Sequence, residues 1–232
     1  AYCSQYSTFV ATGAGNSMLV GVYAFEAAIA EVKGVYSNTA PVDAFRGAGR
    51  PEANYVVERM IDAVGKKLGI APDEIRRRNF IPTDAFPYKT PTGSVYYIAD
   101  FPGVFDKALK LADVAGFAKR RTESEKRGLL RGLGFATVIE NSGAGMFPKD
   151  EVLLEVAADG RLTTYSISHS QGQGHETTFA QIIGDALGIP AERVTLRQGI
   201  GEKGLIGNHT GGSRTIVGAG TVCHITAKKL IE

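Results

Sequence analysis

The chain has 232 residues, of which 44% are hydrophobic and 22% are charged. This composition is ordinary for a soluble globular protein large enough to hold one or two domains. With 26 basic and 24 acidic residues the net charge is only +2, so neither a nucleic acid nor an anionic membrane is expected as a partner. No apolar run approaches the roughly 20 residues of a membrane span and no signal peptide is visible, so we expect a cytoplasmic protein.

The cysteine and glycine content limits the kinds of bridge, metal site and turn that the chain can form. Cys3 and Cys223 lie near opposite ends of the chain, where reduced, buried thiols are favoured over a single bridge. The absence of a CxxC pair and of a His-rich tract argues against a metal held by protein side chains. The 29 glycines cluster between periodic segments, where glycine usually serves a positive φ or a close backbone approach.

The first half of the chain predicts a strand over residues 19–25 and a loop over 41–50. A long helix is expected over 52–68 and a short one over 73–79. Six apolar residues are expected on one face of the long helix: Val56, Val57, Met60, Ile61, Val64 and Leu68. The run Arg76-Arg77-Arg78 indicates a solvated helix face or carbonyl capping, with an acidic partner as the alternative.

A change of composition near Gly128 divides the chain into two α+β portions, residues 1–128 and 129–232. Before it, residues 81–100 predict an irregular connection and residues 101–118 a helix. After it, the expected elements are a strand over 131–140, a hairpin over 152–157 and 161–168, a strand over 194–198 and a helix over 216–231. Asp159-Gly160 suits the tight turn of the hairpin. The predicted fold class is therefore α+β, with mixed sheets and packed helices.

Two segments share the pattern Leu-Gly-Ile, at residues 68–70 and 187–189, and each follows a predicted helix. Related halves would explain the repeat, but a common way of ending a helix is the favoured interpretation.

A glycine-dense loop, residues 170–178, lies between a predicted strand and a predicted helix. Apolar residues at helical spacing follow it: Phe179, Ile182, Ile183, Ala186 and Leu187. Strand, glycine loop and helix in this order direct backbone N–H groups at an anion. Gln173, His175 and Thr177 add side chains that can hydrogen-bond a polar ligand.

Two further loops resemble it, residues 44–52 and 207–215, and each also precedes a predicted helix. Both contain arginine, which binds phosphate or oxo groups through two parallel hydrogen bonds. One such loop alone is as well explained by turn geometry and capping. Three together favour an extended anionic ligand held at helix N-termini. Neither the Walker pattern nor the complete Rossmann pattern is present, so ATP and NAD are disfavoured.

The three loops, with their order, resemble those of the molybdenum hydroxylase family, which includes xanthine dehydrogenase, aldehyde oxidase and the large subunit of aerobic carbon monoxide dehydrogenase. The matching stretches are AFRGAGRPE at 44–52, GQGHETT at 172–178 and TGGSR at 210–214. The resemblance covers nearly the whole chain. It implies a molybdopterin cofactor, usually the cytosine dinucleotide in bacterial members, whose dithiolene rather than a protein side chain holds molybdenum.

The resemblance also implies roles for individual residues. Arg46 matches the arginine beside the metal and substrate, and Gly47 and Ala48 share its loop. The pterin and phosphate loop corresponds to Gln173, Gly174, His175 and Thr177. The loop that grips the far end of the cofactor corresponds to Thr210, Gly211, Gly212, Ser213 and Arg214.

Two departures from the family limit the reaction. Carbon monoxide dehydrogenases have a copper-binding cysteine where this chain has Gly47, so carbon monoxide oxidation is not expected. Purine-hydroxylating members have a phenylalanine where this chain has Ala48, which argues against a purine. An aldehyde or another heterocycle stays open as the substrate.

The family's first cofactor segment is expected before residue 1 and its catalytic glutamate after residue 232. Glu140, Glu151 and Glu176 lack the Gly-Glu-Pro context of that glutamate. The chain is accordingly interpreted as a fragment, inactive and free of cofactor by itself, of a subunit that works with iron–sulfur [2Fe-2S] and FAD subunits in a homodimer of heterotrimers. A folded non-catalytic piece and an unrelated nucleotide-binding module are the alternatives.

Overall fold

A computed structural model describes residue 4 and residues 6–143 and 149–232. The chain divides into two compact units, one within residues 1–140 and one within 141–232. Cys3 lies outside the described residues, whereas Cys223 is a free thiol that is 1% exposed. In the described part of the chain, no helix has the length and apolar character needed to cross a membrane.

The first unit is mainly helical. Its elements are α1 (Ser7–Phe9), a π-helical turn (Val10–Ala14), α2 (Arg50–Leu68), α3 (Pro72–Asn79), β1 (Tyr88–Lys89), β2 (Val95–Tyr96), α4 (Phe101–Leu111), a 3-10 turn (Val114–Gly116) and α5 (Phe117–Glu125). Strands β1 and β2 pair antiparallel as a small hairpin inside the segment predicted to be irregular.

Three predicted elements of this unit are wrong. Residues 19–22 form turns, with Gly21 at φ 57°, and Tyr23 makes an isolated β-bridge to Phe80 in place of the predicted strand. The predicted helix over 101–118 ends at Leu111, because Asp113 adopts φ 45° and its carboxylate caps the following turn at the N–H of Gly116. Residues 131–140 belong to no named strand in the described chain.

Helix α2 buries a narrower face than its apolar pattern predicts. Val57 and Ile61 lie in a core with Tyr23, Phe80 and Phe105. Four of the six residues assigned to one face are instead exposed, by 41–63%: Val56, Met60, Val64 and Leu68. The buried face passes through Glu58 and Gly65, where Gly65 lets Ile75 approach closely. The expected face is thus wrong for these four residues.

A buried ionic network holds α2 and α3 together. Arg76 is fully buried and its guanidinium pairs with Glu58 at 2.8 Å and Asp62 at 2.9 Å. Glu58 also accepts hydrogen bonds from the hydroxyls of Tyr23 at 2.6 Å and Thr137 at 2.8 Å. Burial lowers the pKa of Arg76, but the hydrogen bonds that Arg76 donates to Asp62 and Glu58 outweigh it and raise the pKa overall. A solvated helix face is therefore the wrong interpretation for Arg76.

Residues 135–140, here called the strap, lie along this network. The backbone oxygen of Phe135 accepts a hydrogen bond from Arg76 at 3.0 Å, and Ile139 packs against the core. The strap therefore packs with the first unit. The domain boundary near Gly128 stays a prediction. The boundary between the two compact units falls between residues 140 and 141 of the chain.

The second unit is a three-stranded sheet covered by helices. Its elements are β3 (Val152–Val156), β4 (Leu162–Ser166), α6 (His175–Leu187), a 3-10 turn (Ala191–Arg193), β5 (Val194–Gln198), a 3-10 turn (Gly201–Lys203), a π-helical turn (Ile216–Gly220) and α7 (Thr221–Ile231). The order is β3-β4-β5, with β3 antiparallel and β5 parallel to β4. The predicted hairpin, second long helix, last strand and last helix are confirmed, as is the α+β class.

The core of this unit lies between the sheet and α6 and α7. Leu162 and Val194 from the strands meet Phe179 and Ile183 of α6 and Cys223 of α7. Because β4 and β5 are parallel neighbours joined through α6, the loop before α6 leaves the carboxyl end of β4. This is the edge at which α/β units usually bind ligands.

The repeated Leu-Gly-Ile pattern is a helix ending in both units. Gly69 and Gly188 adopt φ 67° and 70°, and the N–H of the following isoleucine returns to Gly65 O at 2.9 Å or Gly184 O at 3.0 Å. These are left-handed caps with a backbone hydrogen bond that closes the last turn. The favoured interpretation of the repeat therefore agrees with the structure.

Candidate functional site

The first loop turns sharply before α2. Three consecutive residues have positive φ: Gly47 at 104°, Ala48 at 45° and Gly49 at 88°. Gly49 lies against the backbone of the π-helical turn, since a Cβ there would be 1.7 Å from Val10 O. A left-handed alanine costs on the order of 1–3 kcal/mol, so the surrounding contacts must hold Ala48 in place.

Arg46 lies at the rim of a surface cavity of about 280 Å³, which is lined by Val10, Asp43, Phe45, Arg46, Ala48, Pro51 and Glu52. The Arg46 side chain is exposed, and within the described residues it makes no hydrogen bond or ion pair. Its guanidinium is thus available to an external oxyanion or carbonyl group.

The second loop delivers a glycine to the start of α6. Gly174 has φ 77° and serves as N-cap without a side chain, while Gln173 and Thr177 on either side of it are exposed. The Gln173 side-chain oxygen accepts a hydrogen bond from the N–H of Gln171 at 2.5 Å. The Glu176 carboxylate accepts its own backbone N–H, which lowers the pKa of that carboxyl. Backbone donors at a helix start favour a negatively charged ligand.

His175 is the first residue of α6 and is only 4% exposed. Its ring stacks on Phe179 at 5.3 Å, and its buried Nδ1 has no hydrogen-bond partner in the described structure. Burial lowers the pKa of His175, so the imidazole is neutral at pH 7. This buried nitrogen beside the loop can accept or donate one further hydrogen bond, to a ligand atom or to a water molecule.

The third loop is hydrogen-bonded to the residues that lead into the second loop. Ser168 Oγ donates to Asn208 O at 2.8 Å, and Thr210 Oγ1 donates to His169 O at 2.7 Å. These two hydrogen bonds join the end of β4 to residues 208–210. The third loop, which holds Thr210, is therefore fixed beside the start of the loop that holds Gln173.

Within the third loop, Arg214 supports the loop itself. Its Nε donates to His209 O at 3.0 Å, and its Nη2 lies 3.0 Å from His209 Nε2. Burial and the charge of Arg214 lower the pKa of His209. The neighbouring Gly211, Gly212 and Ser213 stay at or near the surface, and Ser213 has φ 52°. Loop shaping is thus a role of Arg214 that sequence motifs do not reveal.

Asp150 is a second residue that the sequence analysis missed. Its Oδ1 accepts the N–H of Asn208 at 2.6 Å, and its Oδ2 lies where a Cβ on Gly218 would be 1.9 Å away. Next to it, the Glu151 N–H donates to Ile206 O at 2.8 Å and the Glu151 carboxylate accepts the Ile206 N–H at 2.9 Å. The pair anchors the start of the third loop, and no local pattern marks it.

The chemistry of the second unit's loops suits a ligand rich in acceptors. Backbone N–H groups, hydroxyls and neutral imidazoles line them, and Glu176 is the acidic residue of residues 170–178. Among the described residues, no group of three or more His, Cys, Asp or Glu side chains could hold a metal ion. Groups of these kinds can donate hydrogen bonds to phosphate oxygens and to heterocycle atoms.

Two family models match the chain. Residues 107–232 and residues 1–80 each match a family described as "Molybdopterin cofactor-binding domain". Relatives include the nicotine 6-hydroxylase large subunit of Paenarthrobacter nicotinovorans, 37% identical over 86% of this chain and 26% of its own length. The carbon monoxide dehydrogenase large chain of Hydrogenophaga pseudoflava is 35% identical over 90% of this chain and 28% of its own.

Solved structures are similar over the same extent. The Cu,Mo-carbon monoxide dehydrogenase matches with a TM-score of 0.78 and 30% identity over 93% of this chain and 29% of its own. Quinoline 2-oxidoreductase from Pseudomonas putida 86 matches with a TM-score of 0.78 and 28% identity. The match covers 94% of this chain and 29% of that protein. The chain spans little more than a quarter of the length of these relatives. With both of its halves matched as cofactor-binding domains, the chain belongs to the molybdopterin-binding catalytic subunits of the molybdenum hydroxylase family, whose members are molybdenum-dependent oxidoreductases.

Proposed function

We propose that the chain is part of a larger catalytic subunit that hydroxylates a nitrogen heterocycle or an aldehyde. The fragment status is supported by the relatives, of whose length the chain covers 26–29%. Two of the relatives carry names that refer to nitrogen heterocycles, nicotine 6-hydroxylase and quinoline 2-oxidoreductase. Family membership leaves no support for an unrelated nucleotide-binding module.

The observation that carries this proposal is the contact of the third loop with Ser168 and His169, the residues that lead from β4 into the second loop. The Thr210–His169 and Ser168–Asn208 hydrogen bonds hold the start of the second loop beside the third, so the N–H groups and hydroxyls of both loops lie at one edge. Molybdopterin offers acceptor atoms on its pterin and its phosphate, so its chemistry fits this edge. His175 Nδ1, buried and unpartnered, provides one position that such a ligand would satisfy.

Individual residues take the following proposed roles. The pterin and phosphate contacts come from Gln173, Gly174, His175 and Thr177. The far end of the cofactor, in its cytosine dinucleotide form, is held by the segment from Thr210 through Gly211, Gly212 and Ser213 to Arg214. Arg214 acts there through the shape of the loop, since its guanidinium is held by His209.

When bound, the molybdenum cofactor supplies the oxygen-transfer and two-electron chemistry of hydroxylation. Arg46 orients the substrate and stabilises negative charge that develops on it, because its guanidinium is exposed and unpaired within the described chain. Gly47 and Ala48 place their backbone groups beside the same substrate position. The general base is not assigned to any residue of this chain.

The first loop also argues against two other substrates, carbon monoxide, whose oxidation uses a copper-binding cysteine, and purines. A copper-binding cysteine would need a side chain at Gly47, where φ is 104° and a Cβ would lie 2.4 Å from Pro51 Cγ. The backbone as it stands therefore excludes that ligand. Ala48 presents only a methyl group, so it cannot stack on a purine in the way a phenylalanine does.

We further propose FAD and [2Fe-2S] subunits as electron-accepting partners, in a homodimer of heterotrimers. The isolated chain is expected to be inactive and to hold no cofactor. Relatives named as the large or gamma subunits of their enzymes support a multi-subunit assembly.

The full-length enzyme tests the proposal. It should contain molybdenum and pterin, release CMP on acid hydrolysis, and reduce an electron acceptor with pyridine- or quinoline-type substrates but not with carbon monoxide. Arg46→Ala should lower kcat/KM about 10-fold or more while cofactor content is retained. An enzyme without molybdenum, or one that oxidises carbon monoxide with stoichiometric copper, would contradict it.

A further inference from the structure

The backbone of the Arg46 loop is held from two sides. On one side Gly49 packs against Val10, and a Cβ on Gly15 would lie 2.9 Å from Gly49 O. On the other side Arg50 Nη1 donates to Ala48 O at 3.3 Å. The Arg50 side chain is only 13% exposed, so this contact forms where water competes weakly.

The Arg50 guanidinium is in turn held by the strap. Its Nε forms an ion pair with Glu140 Oε1 at 3.5 Å, and this buried nitrogen has no hydrogen-bond partner in the described structure. Glu140 is therefore the carboxylate that balances a half-buried arginine at the start of α2. Glu140 lacks the Gly-Glu-Pro context of a catalytic glutamate, so its sequence gives no sign of this role.

The strap itself is fixed at its other end. Phe135 O accepts a hydrogen bond from the buried Arg76, and Thr137 Oγ1 donates to Glu58 Oε1 at 2.8 Å. Because Glu58 lies eight residues after Arg50 on α2, roughly 12 Å along the helix, the strap runs from the middle of α2 to its first turn. Glu140 thus reaches Arg50 from a segment whose other end is hydrogen-bonded to Arg76 and Glu58.

We propose that Glu140 and Arg50 are positioning residues, which set the conformation of the Arg46–Ala48 loop through the Ala48 carbonyl. The inference rests on the proposed role of Arg46 at the substrate. Neutralising Glu140 leaves Arg50 free to turn away from Ala48, and the strained Ala48 then relaxes. Small displacements of a charge-stabilising group cost catalysis far more than stability.

The expected effect separates positioning from folding. Glu140 is 41% exposed, so a glutamine there changes the free energy of unfolding by no more than a surface substitution does. Glu140→Gln in the full-length holoenzyme should lower kcat about 5-fold at unchanged molybdenum and pterin content, with KM altered less than about 2-fold. Glu140→Asp should recover part of the loss.

Glu74→Gln is the matched control, because Glu74 is 44% exposed and pairs with Arg78 at 2.7 Å on α3. A double variant, Arg46→Ala with Glu140→Gln, should be no slower than Arg46→Ala alone, since Glu140 acts through the Arg46 loop. Additive losses in the double variant would overturn the inference.

The two proposals fail in different ways. If Glu140→Gln has the kcat of Glu74→Gln while Arg46→Ala is slow, the positioning inference is wrong and the role of Arg46 stands. If Glu140→Gln loses molybdenum in proportion to activity, Glu140 is merely structural and the inference is again overturned. A fully active Arg46→Ala enzyme contradicts the proposed function of that residue, and with it the route assigned to Glu140.

Discussion

Arg76 and Glu58 form an ion pair of 2.8 Å whose side chains are only 0% and 6% exposed. A second hydrogen bond, from Arg76 Nε at 3.0 Å, reaches the same oxygen, so two guanidinium N–H groups converge on Glu58 Oε2. Both hydroxyls that complete the Glu58 carboxylate come from distant parts of the chain, Tyr23 and Thr137. Every oxygen of Glu58 is thus satisfied, which is the condition under which a buried pair is tolerated.

Removing one partner should therefore destabilise the first unit strongly. Arg76→Ala leaves the Glu58 carboxylate buried without its cation, and we expect the free energy of unfolding to fall by about 3–5 kcal/mol. Arg78→Ala, which breaks an exposed pair with Glu74, should cost no more than about 0.5 kcal/mol. Urea denaturation followed by circular dichroism compares the two. Equal midpoints would show that the network contributes nothing.

A second prediction concerns the close approach at Gly49. Gly49→Ala places a Cβ 1.7 Å from Val10 O in a backbone of φ 88°, whereas Gly69→Ala meets open space at φ 67°. Both variants carry the penalty of a left-handed alanine, so their difference isolates the clash, which should cost about 1–3 kcal/mol more at Gly49. Thermal unfolding measures this difference. Matching losses in the two variants would mean that the turn does not rest on Val10.

Local patterns predicted the second unit well. Asp159-Gly160 between alternating strands and the apolar period after Gly174 are signals within a few residues, and the hairpin, α6, β5 and α7 follow them. The glycine loops were found for the same reason, since Gly174 and Gly212 adopt positive φ where the sequence shows glycine. Their functional roles, by contrast, came from a resemblance and stay proposals.

The first unit was predicted less well because its contacts join residues that are far apart in the sequence. Arg76 looks solvated in a run of three arginines, but Glu58, 18 residues away, and Phe135, 59 residues away, surround it. Asp113 ends a helix through its own left-handed backbone, which an otherwise periodic segment does not show. Asp150 and Glu140 likewise act on loops that lie far away along the chain.

Asp150 should control the order of the third loop. Asp150→Ala removes the acceptor of the Asn208 N–H, which lies 2.6 Å away, and we expect a loss of about 1–3 kcal/mol from the unpaired buried group. Hydrogen exchange of the amides in residues 206–210 should accelerate, while exchange in β4 stays slow. Asp185→Ala, on the exposed side of α6, is the control. Unchanged exchange at Asn208 would count against the anchoring role.

Acid should weaken the second unit through His175. Burial lowers its pKa in the folded chain, so below the ordinary histidine pKa of about 6.5 the unfolded chain binds the proton more readily. The stabilising contribution is present above that pH and is lost as the pH falls. His175→Gln should therefore show a smaller decrease in unfolding free energy between pH 7.5 and pH 5 than the wild-type chain. His224→Gln, at an exposed position of α7, should keep the wild-type slope. If the unfolding free energies of wild type and His175→Gln depend on pH in the same way, His175 is not the source of the acid sensitivity.

The thiol of Cys223 should be inert in the folded chain. It is 1% exposed in the core beneath α6, and burial raises its pKa to about 12. Since the thiolate is the reactive form, a thiol reagent at pH 8 should react at least about 100-fold more slowly with the native chain than with the chain in urea. A Cys3→Ser background assigns the signal to Cys223 alone. Rapid modification under native conditions would mean that α7 opens from the sheet, and hydrogen exchange along Thr221–Ile231 should then be fast as well.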